Sequence, residues 1–499
     1  MPEQEAAYAG LMSQFSQARV WRDAGAEAPL AYERFRSRLP LCTHEQLAPH
    51  VARMRRGERD VLWPGACQVF AATSGTSTGV SYAVPATGAL LDHYRRSSID
   101  SMLWYASRVG SSAVFRGHQL FLGGSIKLAP IPSEGAAEAF EGEMSAALAY
   151  SLPPWAERHF IEPSTDIAQL NDFGQKVDAI VEKYSHADIS ALGGIPSWVL
   201  LLADALRARA TRGKIRVPHL QGLWPKFECY LHGGEPITPH LDELRAGLGP
   251  TVNFHEVYAA AEGFVAAQDG DASAGLRLMT GAGLFFEFLP MEDFDAARLA
   301  SLGAKAVPLS GVQTGVDYAL IASTPAGFAR LVLGDVVRFR STDPHRIVYV
   351  GRTGLRLDAF GERVTESNVA DTLVNVCRRN GWTIVNFHVA PLFLTSTTGK
   401  SRGRHEWWVE LKPGTLTTPT GPVMAPELDV ELRRLNHTYE TLRARGVIEP
   451  PFVRLVMPGV FEHWMRHHGK WGGQSKMPRC SCDRVIAEEL DSAVQFAKD

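Results

Sequence analysis

At 499 residues, the chain is long enough for about three compact units, and a core of that size needs no disulfide or metal to hold it. Hydrophobic residues make up 45% of the chain and charged residues 21%, which excludes a disordered or collagen-like protein. With Lys+Arg at 51 and Asp+Glu at 54, the net charge of -3 provides no general field for nucleic acid. The longest apolar stretch, Ile195–Leu206, contains Pro196 and Asp204 and is too short to span a bilayer. MPEQEAAYAG has no basic segment leading into an apolar one. A cytoplasmic protein with no membrane and no nucleic-acid partner is therefore expected, its six scattered cysteines reduced. Cys480 and Cys482, with His463, His467 and His468 nearby, are spaced too closely for an ordinary zinc site.

Taken in chain order, the first 60 residues read as Ala- and Arg-rich helices. Cys67–Ala72 is a short apolar run suited to a buried strand. It leads into Thr73-Ser-Gly-Thr-Ser-Thr-Gly79, whose density of glycine and hydroxyl residues makes a loop. Thr87–Val109 reads as a long helix, Ala113–Leu122 and Ala191–Gly194 as strand ends, and Ile195–Arg209 as a helix. Cys229–Gly234 is a strand entering a glycine turn, and Leu284–Leu289 is a short buried strand. Asp317–Ser323 and Ala329–Phe339 pair around Thr324-Pro-Ala-Gly327. From Ile347–Val350 onward the pattern is strand, helix (Glu366–Asn380), strand (Thr383–Val389), strand (Glu406–Leu411), helix (Pro426–Arg445), with Lys412–Ala425 an exposed loop. The expected fold class is α/β: residues 1–350 form a large domain of mixed sheets and helices, 351–354 a glycine-bearing hinge, and 355–499 a smaller mobile α+β domain.

Several segments carry chemistry. The hydroxyls and glycines of Thr73–Gly79 suit a polyphosphate, because glycine lets the backbone approach and turn N–H groups form an anion nest. The same stretch contains Gly75-Thr-Ser77-Thr-Gly79, which matches a hydrolase nucleophile elbow. Gly399-Lys400-Ser401 is not a Walker motif, since Leu394 stands where the required glycine would be. In Glu256-Val-Tyr258-Ala-Ala260-Ala-Glu262-Gly263, small residues would let a nucleotide lie against the backbone; Tyr258 would stack on a base and Glu262 would offer Mg²⁺ a hard oxygen. The plain alternative is a turn of amphipathic helix with an exposed Glu. Leu333-Gly334-Asp335-Val336-Val337 puts a carboxylate at a strand turn, placed for ribose hydroxyls or simply a turn Asp. Gly472–Arg479 frames Lys476 in a Gly/Pro loop, where a lysine can offset charge on a reacting carboxylate and α-phosphate; taken alone, a solvated basic loop is the plainer reading.

In this order, the segments resemble the adenylate-forming superfamily of acyl-CoA synthetases, peptide-synthetase adenylation domains and luciferase. Within it the chain resembles the Gretchen Hagen 3 family of acyl-acid amido synthetases, the plant auxin-responsive group and its bacterial relatives. The marks are Thr73–Gly79, Trp224-Pro225, His232-Gly-Gly234, Tyr258–Phe264 with Gln268-Asp269, Phe285-Phe-Glu-Phe-Leu289, Gly334–Val337 and Gly473-Gln-Ser-Lys-Met-Pro-Arg479. The resemblance covers about residues 30–485. It implies a monomer that uses ATP and Mg²⁺ to adenylate a carboxylic acid and then passes the acyl group to an amine, typically an amino acid.

By the same resemblance, Ser74, Gly75, Thr76 and Ser77 would hold the ATP phosphates. Gly234, Tyr258 and Ala260 would line the adenine site, Glu262 would bind Mg²⁺, Asp335 would hold the ribose, and Arg352 would lie at the hinge. Lys476 and Arg363 would act on the reacting groups, and Trp104, Trp198 and Phe286 would line the acid pocket. The chain departs from the family pattern at Tyr82 and Arg363, where the family has lysines, at Ala260 and Ala261, where it has serines, and over Phe328–Val332. Three alternatives stay open: a coenzyme A or carrier-protein thiol as acceptor, a nucleotide-binding protein without catalysis, and a hydrolase using Ser77.

Overall fold

The computed structural model describes residues 2–73, 81–131, 138–150, 161–170, 172–213, 217–234, 237–394, 402–412, 419–468 and 477–496. These divide into two compact units, with the division between Val348 and Tyr349.

In the first unit, four helices, Pro2–Phe15, Arg19–Asp23, Tyr32–Arg38 and His44–Arg55, precede the first strand. The last of them starts on a reciprocal cap between Thr43 and Gln46, which satisfies two helix-end N–H groups at once. The helix expected over Thr87–Val109 forms as Gly88–Val109, with the Thr87 hydroxyl accepting from Leu90 N. Val69–Ala72 is a strand as read, lying in a small sheet between Ala83–Pro85 and Ala139–Gly142.

A larger sheet of twelve strands carries the core. Along one half, His118–Leu122, Ile189–Gly194, Cys229–His232 and Asn253–Ala260 run parallel. Helices Phe173–Tyr184 and Pro196–Arg212 bury one apolar face around Leu192, Leu202, Trp224 and Tyr230. At Asn253–Ala260 the sheet changes sense. The next strand, Gly263–Ala267, returns antiparallel, and beyond it Phe285–Pro290, Asp317–Thr324 and Phe328–Thr342 form an antiparallel half. The hairpin read around Thr324–Gly327 is present.

The structure corrects several readings. Ala113–Arg116 is a 3₁₀ turn, and the strand begins only at His118. Gly117 marks the change, since a Cβ there would stand 2.7 Å from the Asp188 carbonyl. Leu333–Val337 is not a turn between strands but part of one strand, Phe328–Thr342.

The second unit holds a three-stranded sheet with Arg402–Leu411 in the middle, antiparallel to Ile384–Leu394 and parallel to Phe452–Val456. Glu366–Asn380 forms as expected, capped by Thr365 at one end and left-handed Gly381 at the other. The helix expected over Pro426–Arg445 is instead two, Gly421–Leu435 and His437–Ala444. Asn436 leaves helical geometry (φ -135°, ψ 107°) and its side chain caps the second helix at Tyr439 N. Because the first begins at Gly421, the exposed loop expected over Lys412–Ala425 ends sooner.

Glu431, buried on the first of these helices where it meets Glu366–Asn380, accepts from Arg434 (2.6 Å), Arg379 (2.8 Å) and Asn375 (2.9 Å). Led by the Arg434 contact, these partners hold its carboxyl down to about 2. A depressed carboxylate stabilises the fold above its ordinary pKa of 4.5 and loses that contribution as pH falls toward 2. Urea midpoints of the second-unit transition, measured from pH 5 to about 2, should therefore fall less steeply for Glu431→Gln than for the unmodified protein. Equal slopes would contradict this account.

Candidate nucleotide and carboxylate site

In sheets of this kind, ligands bind where parallel strands end and the topology switches. Here that place is the carboxyl edge of Cys229–His232 and Asn253–Ala260. The first strand runs into Gly233-Gly234, and both glycines have physical reasons. A Cβ on Gly233 would stand 2.1 Å from the Val257 carbonyl, and Gly234 has φ +75°, a conformation L side chains rarely adopt.

Tyr258–Gly263 is a strand followed by a two-residue turn, Ala261-Glu262, and the start of the returning strand. The helical alternative for this segment is overturned, as is an exposed Glu262, which is only 6% accessible. Tertiary pairing outweighs the helix propensity of three successive alanines. Side chains from the Gly88–Val109 helix hold the turn on both sides. His93 accepts from Phe264 N at Nε2 (2.8 Å) and donates to the Ala282 carbonyl from Nδ1 (2.7 Å). The Tyr94 hydroxyl donates to the Ala260 carbonyl. Burial, then the Glu262 charge, pushes the Tyr94 hydroxyl far above its ordinary pKa, so it stays a donor. Glu262 itself meets a residue no motif pointed to: His44 Nε2 lies 2.6 Å from Glu262 Oε1.

Asp335 reaches the same region from the antiparallel half. Between the pairs Ile321↔Val332 and Ala319↔Val336, two steps on one strand face four on the other, so Leu333-Gly334-Asp335 is a bulge, with Gly334 at φ +82°. The buried Asp335 carboxylate accepts from the Tyr258 hydroxyl at 2.5 Å. The structure thus brings together the two residues expected at adenine and ribose.

Other expected residues fall elsewhere. Ser74, Gly75, Thr76, Ser77 and Lys476 lie outside the described residues. The neck of the Thr73–Gly79 loop is described: Thr73 N donates to the Tyr82 carbonyl (2.8 Å) and Tyr82 N to Thr73 Oγ1 (2.9 Å). After Lys476, Val389 N donates to the Arg479 carbonyl (3.0 Å), and His388 donates from Nδ1 to the Pro478 carbonyl (2.8 Å). Arg352 belongs to the second unit. Arg363 is exposed in a left-handed turn (φ 49°), its N–H donating to Asp358 Oδ1 and its carbonyl accepting from Asn436. The preceding Glu362 is buried and paired with His405 at 3.0 Å.

Trp104, Trp198 and Phe286 are not brought together. They belong to three different packed clusters, and Phe286 has no accessible surface to offer a ligand. Trp104 is half-buried, with the Arg277 guanidinium 5.0 Å over its ring.

For Mg²⁺, Glu262 is a single buried carboxylate with hard oxygens. Among the described residues no group of three or more His, Cys, Asp and Glu could cage a metal. That donor set fits Mg²⁺, which takes one or two carboxylates and completes its shell with phosphate and water. Among the described residues no such group lies at Cys480 and Cys482 either. Cys480 is buried and its thiol donates to the Leu355 carbonyl. A Ser–His pair exists at Ser101 and His255 (2.8 Å), but both side chains are buried, which suits packing rather than hydrolysis. Among the described residues no helix is long and apolar enough to cross a membrane.

The chain is similar to the AtGH3.15 acyl acid amido synthetase structure in complex with 2,4-DB, at 18% identity and TM-score 0.74, over 99% of this chain and 93% of that one. It is also similar to 2-hydroxyisobutyryl-CoA ligase in complex with 2-HIB-AMP, at 14% identity and TM-score 0.56, over 99% and 92%. The fold is that of the adenylate-forming enzymes. Models of the GH3 family N-terminal, central and C-terminal domains match residues 4–120, 277–352 and 367–485. They cover more than half of the chain, which belongs to the GH3 family. Similar curated proteins include the indole-3-acetic acid-amido synthetase GH3.8 of Oryza sativa subsp. indica, 24% identical over 92% of this chain and 85% of that protein. Another is the probable indole-3-acetic acid-amido synthetase GH3.4 of Oryza sativa subsp. japonica, 22% identical over 99% and 88%.

Proposed function

We propose that the protein is an ATP-dependent, AMP-forming acyl-acid amido synthetase. The observation that carries this reading is the Tyr258–Asp335 contact at the switch point of the sheet, near the buried Glu262, in a chain of the GH3 family. A carboxylate oxygen of the acid attacks the α-phosphorus of ATP, and the bond to pyrophosphate breaks. The nitrogen of an amine then attacks the acyl carbon, the bond to AMP breaks, and the nitrogen sheds its proton. The acceptor class comes from the relatives, which are named as amido synthetases.

Asp335 accepts the ribose hydroxyls, with the Tyr258 ring beside it, and Gly234 and Ala260 admit the adenine without side-chain obstruction. Ser74, Gly75, Thr76 and Ser77 supply donors to the phosphates. Lys476 offsets charge as the carboxylate and α-phosphate react, Arg363 supplies a second cation, and Arg352 belongs to the 351–354 hinge that admits the amine. Mg²⁺ on Glu262, when bound, neutralises phosphate charge. The half-buried Trp104 is the member of the aromatic trio best placed for an acid pocket.

Nucleotide product analysis tests the reading. With Mg·ATP and pooled carboxylic acids, AMP and pyrophosphate should appear only when acid is present, and should rise with pooled amino acids. ADP in place of AMP would overturn the mechanism, and a rise with coenzyme A instead of amines would make the acceptor a thiol. Asp335→Ala should weaken ATP binding by about 10- to 100-fold in calorimetry, the usual worth of hydrogen bonds to a charged group. Unchanged affinity would remove Asp335 from the ribose site.

A further inference from the structure

The Glu262 side chain is held by an element far from it in sequence. We propose that His44 is a positioning residue: its Nε2–H donates to Glu262 Oε1 and fixes the plane in which that carboxylate meets the metal–nucleotide, while its ring, stacked on Tyr82, couples that orientation to the neck of the Thr73–Gly79 loop. The inference rests on the adenylation reading above.

Three observations carry it. His44 is the first residue of its helix, inside the reciprocal cap that Thr43 and Gln46 form, so its backbone is held in place. Its ring lies face to face with Tyr82 (centroids 5.4 Å apart, planes 12° apart) and edge-on to Phe328 (5.7 Å, 85°), leaving Nε2 directed at Glu262. His93 and Tyr94 hold the backbone around Glu262 through Phe264 and Ala260. The His44 bond adds a restraint on the side chain itself. A partner of this kind, one step removed from a metal, orients the ligand and commonly changes metal affinity by about 10- to 100-fold when removed.

The coupling to the loop explains a departure from the family pattern. Tyr82 closes the neck through two hydrogen bonds with Thr73, and its ring supplies the face on which His44 rests. A lysine at this position has no such face. Tyr82 and His44 therefore form one feature, which joins the segment expected to hold phosphates to the carboxylate expected to hold their metal.

The test uses Mn²⁺ as the probe, in place of Mg²⁺, and the full-length protein without acid, so that nothing turns over. ATP affinity is measured by calorimetry with and without Mn²⁺, and bound Mn²⁺ by electron paramagnetic resonance. In the unmodified protein Mn²⁺ should strengthen ATP binding, and Glu262→Gln should abolish that gain. His44→Phe keeps an aromatic face but loses the donor, and should reduce the gain about tenfold and alter the Mn²⁺ spectrum, with metal-free ATP affinity unchanged. His44→Gln restores an N–H donor and should recover most of the gain. Tyr82→Ala should weaken it too, and less than additively with His44→Phe. Should His44→Phe fail to melt cooperatively, His44→Leu carries the same expectation. If His44→Phe keeps the full gain while Glu262→Gln loses it, the positioning role is overturned and the adenylation reading stands. If the unmodified protein shows no metal-dependent ATP binding, or Glu262→Gln retains it, the reading beneath fails as well.

Discussion

Glu262→Gln should slow acid-dependent ATP–pyrophosphate exchange by about 10²- to 10³-fold, the usual effect of removing one preorganised electrostatic partner of a developing charge. The substitution isolates charge from shape. Glutamine has nearly the volume of glutamate and keeps an oxygen to accept from His44 Nε2, 2.6 Å away in the native site. The turn around it is held by bonds that do not involve the carboxylate, from His93 to Phe264 N and from Tyr94 to the Ala260 carbonyl. Melting should therefore change little while exchange collapses. Exchange within about threefold of the unmodified rate, far short of the usual loss, would contradict the role.

Arg330→Met should cost about 3–5 kcal/mol of first-unit stability, as breaking a buried ion pair from one side does. Neither partner is meaningfully exposed: Arg330 is 0% and Glu287 1% accessible. Every N–H of the guanidinium is used. Nε and Nη2 donate to the two Glu287 oxygens (2.9 and 2.8 Å), Nη1 to the Arg36 and Leu39 carbonyls, and Nη2 also to the Gly303 carbonyl. The Tyr32 hydroxyl donates to Glu287 as well. Methionine would leave the Glu287 charge buried without its cation and three carbonyls without donors. Urea unfolding followed by tryptophan fluorescence reads the loss. The double variant Arg330→Met with Glu287→Met should recover a good part of it, since replacing a buried pair by apolar residues is often near neutral. A loss under about 1 kcal/mol for the single variant would show that the pair contributes no more than an exposed one. Arg330 shares a strand with the Asp335 bulge, so nucleotide affinity is expected to fall with it.

These pairs separate two kinds of residue that motif reading treated alike. Glu287 of Phe285-Phe-Glu-Phe is an ion-pair partner inside the core. Gln268 bonds the Glu256 backbone, and Asp269 holds Arg346 with two bonds of 2.8 and 2.9 Å. Trp224 is fully buried, its indole donating to the Tyr184 carbonyl. All four are scaffold. Tyr258 and Asp335, by contrast, meet across the sheet at the switch point, and Glu262 follows in the turn after the same strand. A motif marks a residue type that the fold needs, and its neighbours in space decide whether the need is packing or chemistry.

What the amino-acid sequence determined by itself was local. Thr87 and Thr365 start helices because their hydroxyls satisfy nearby N–H groups. The hairpin at Thr324–Gly327 follows from turn residues between apolar runs, and the order of the Thr73–Gly79, Tyr258–Gly263, Gly334-Asp335 and Lys476 segments was enough to resemble one enzyme family. Tertiary structure alone decided the rest. Tyr258-Ala-Ala260 became the end of a strand because a neighbouring strand was there to pair with it. Asp335 became a bulge residue because the opposite strand advances two residues where its own advances four. His44 became a partner of Glu262 because a helix near the start of the chain packs where a hairpin from its middle turns. Caps and turns are bonds within a few residues, so local composition states them. Register and side-chain pairs between distant segments depend on where the whole chain has already placed both partners, and no short window of sequence contains that information.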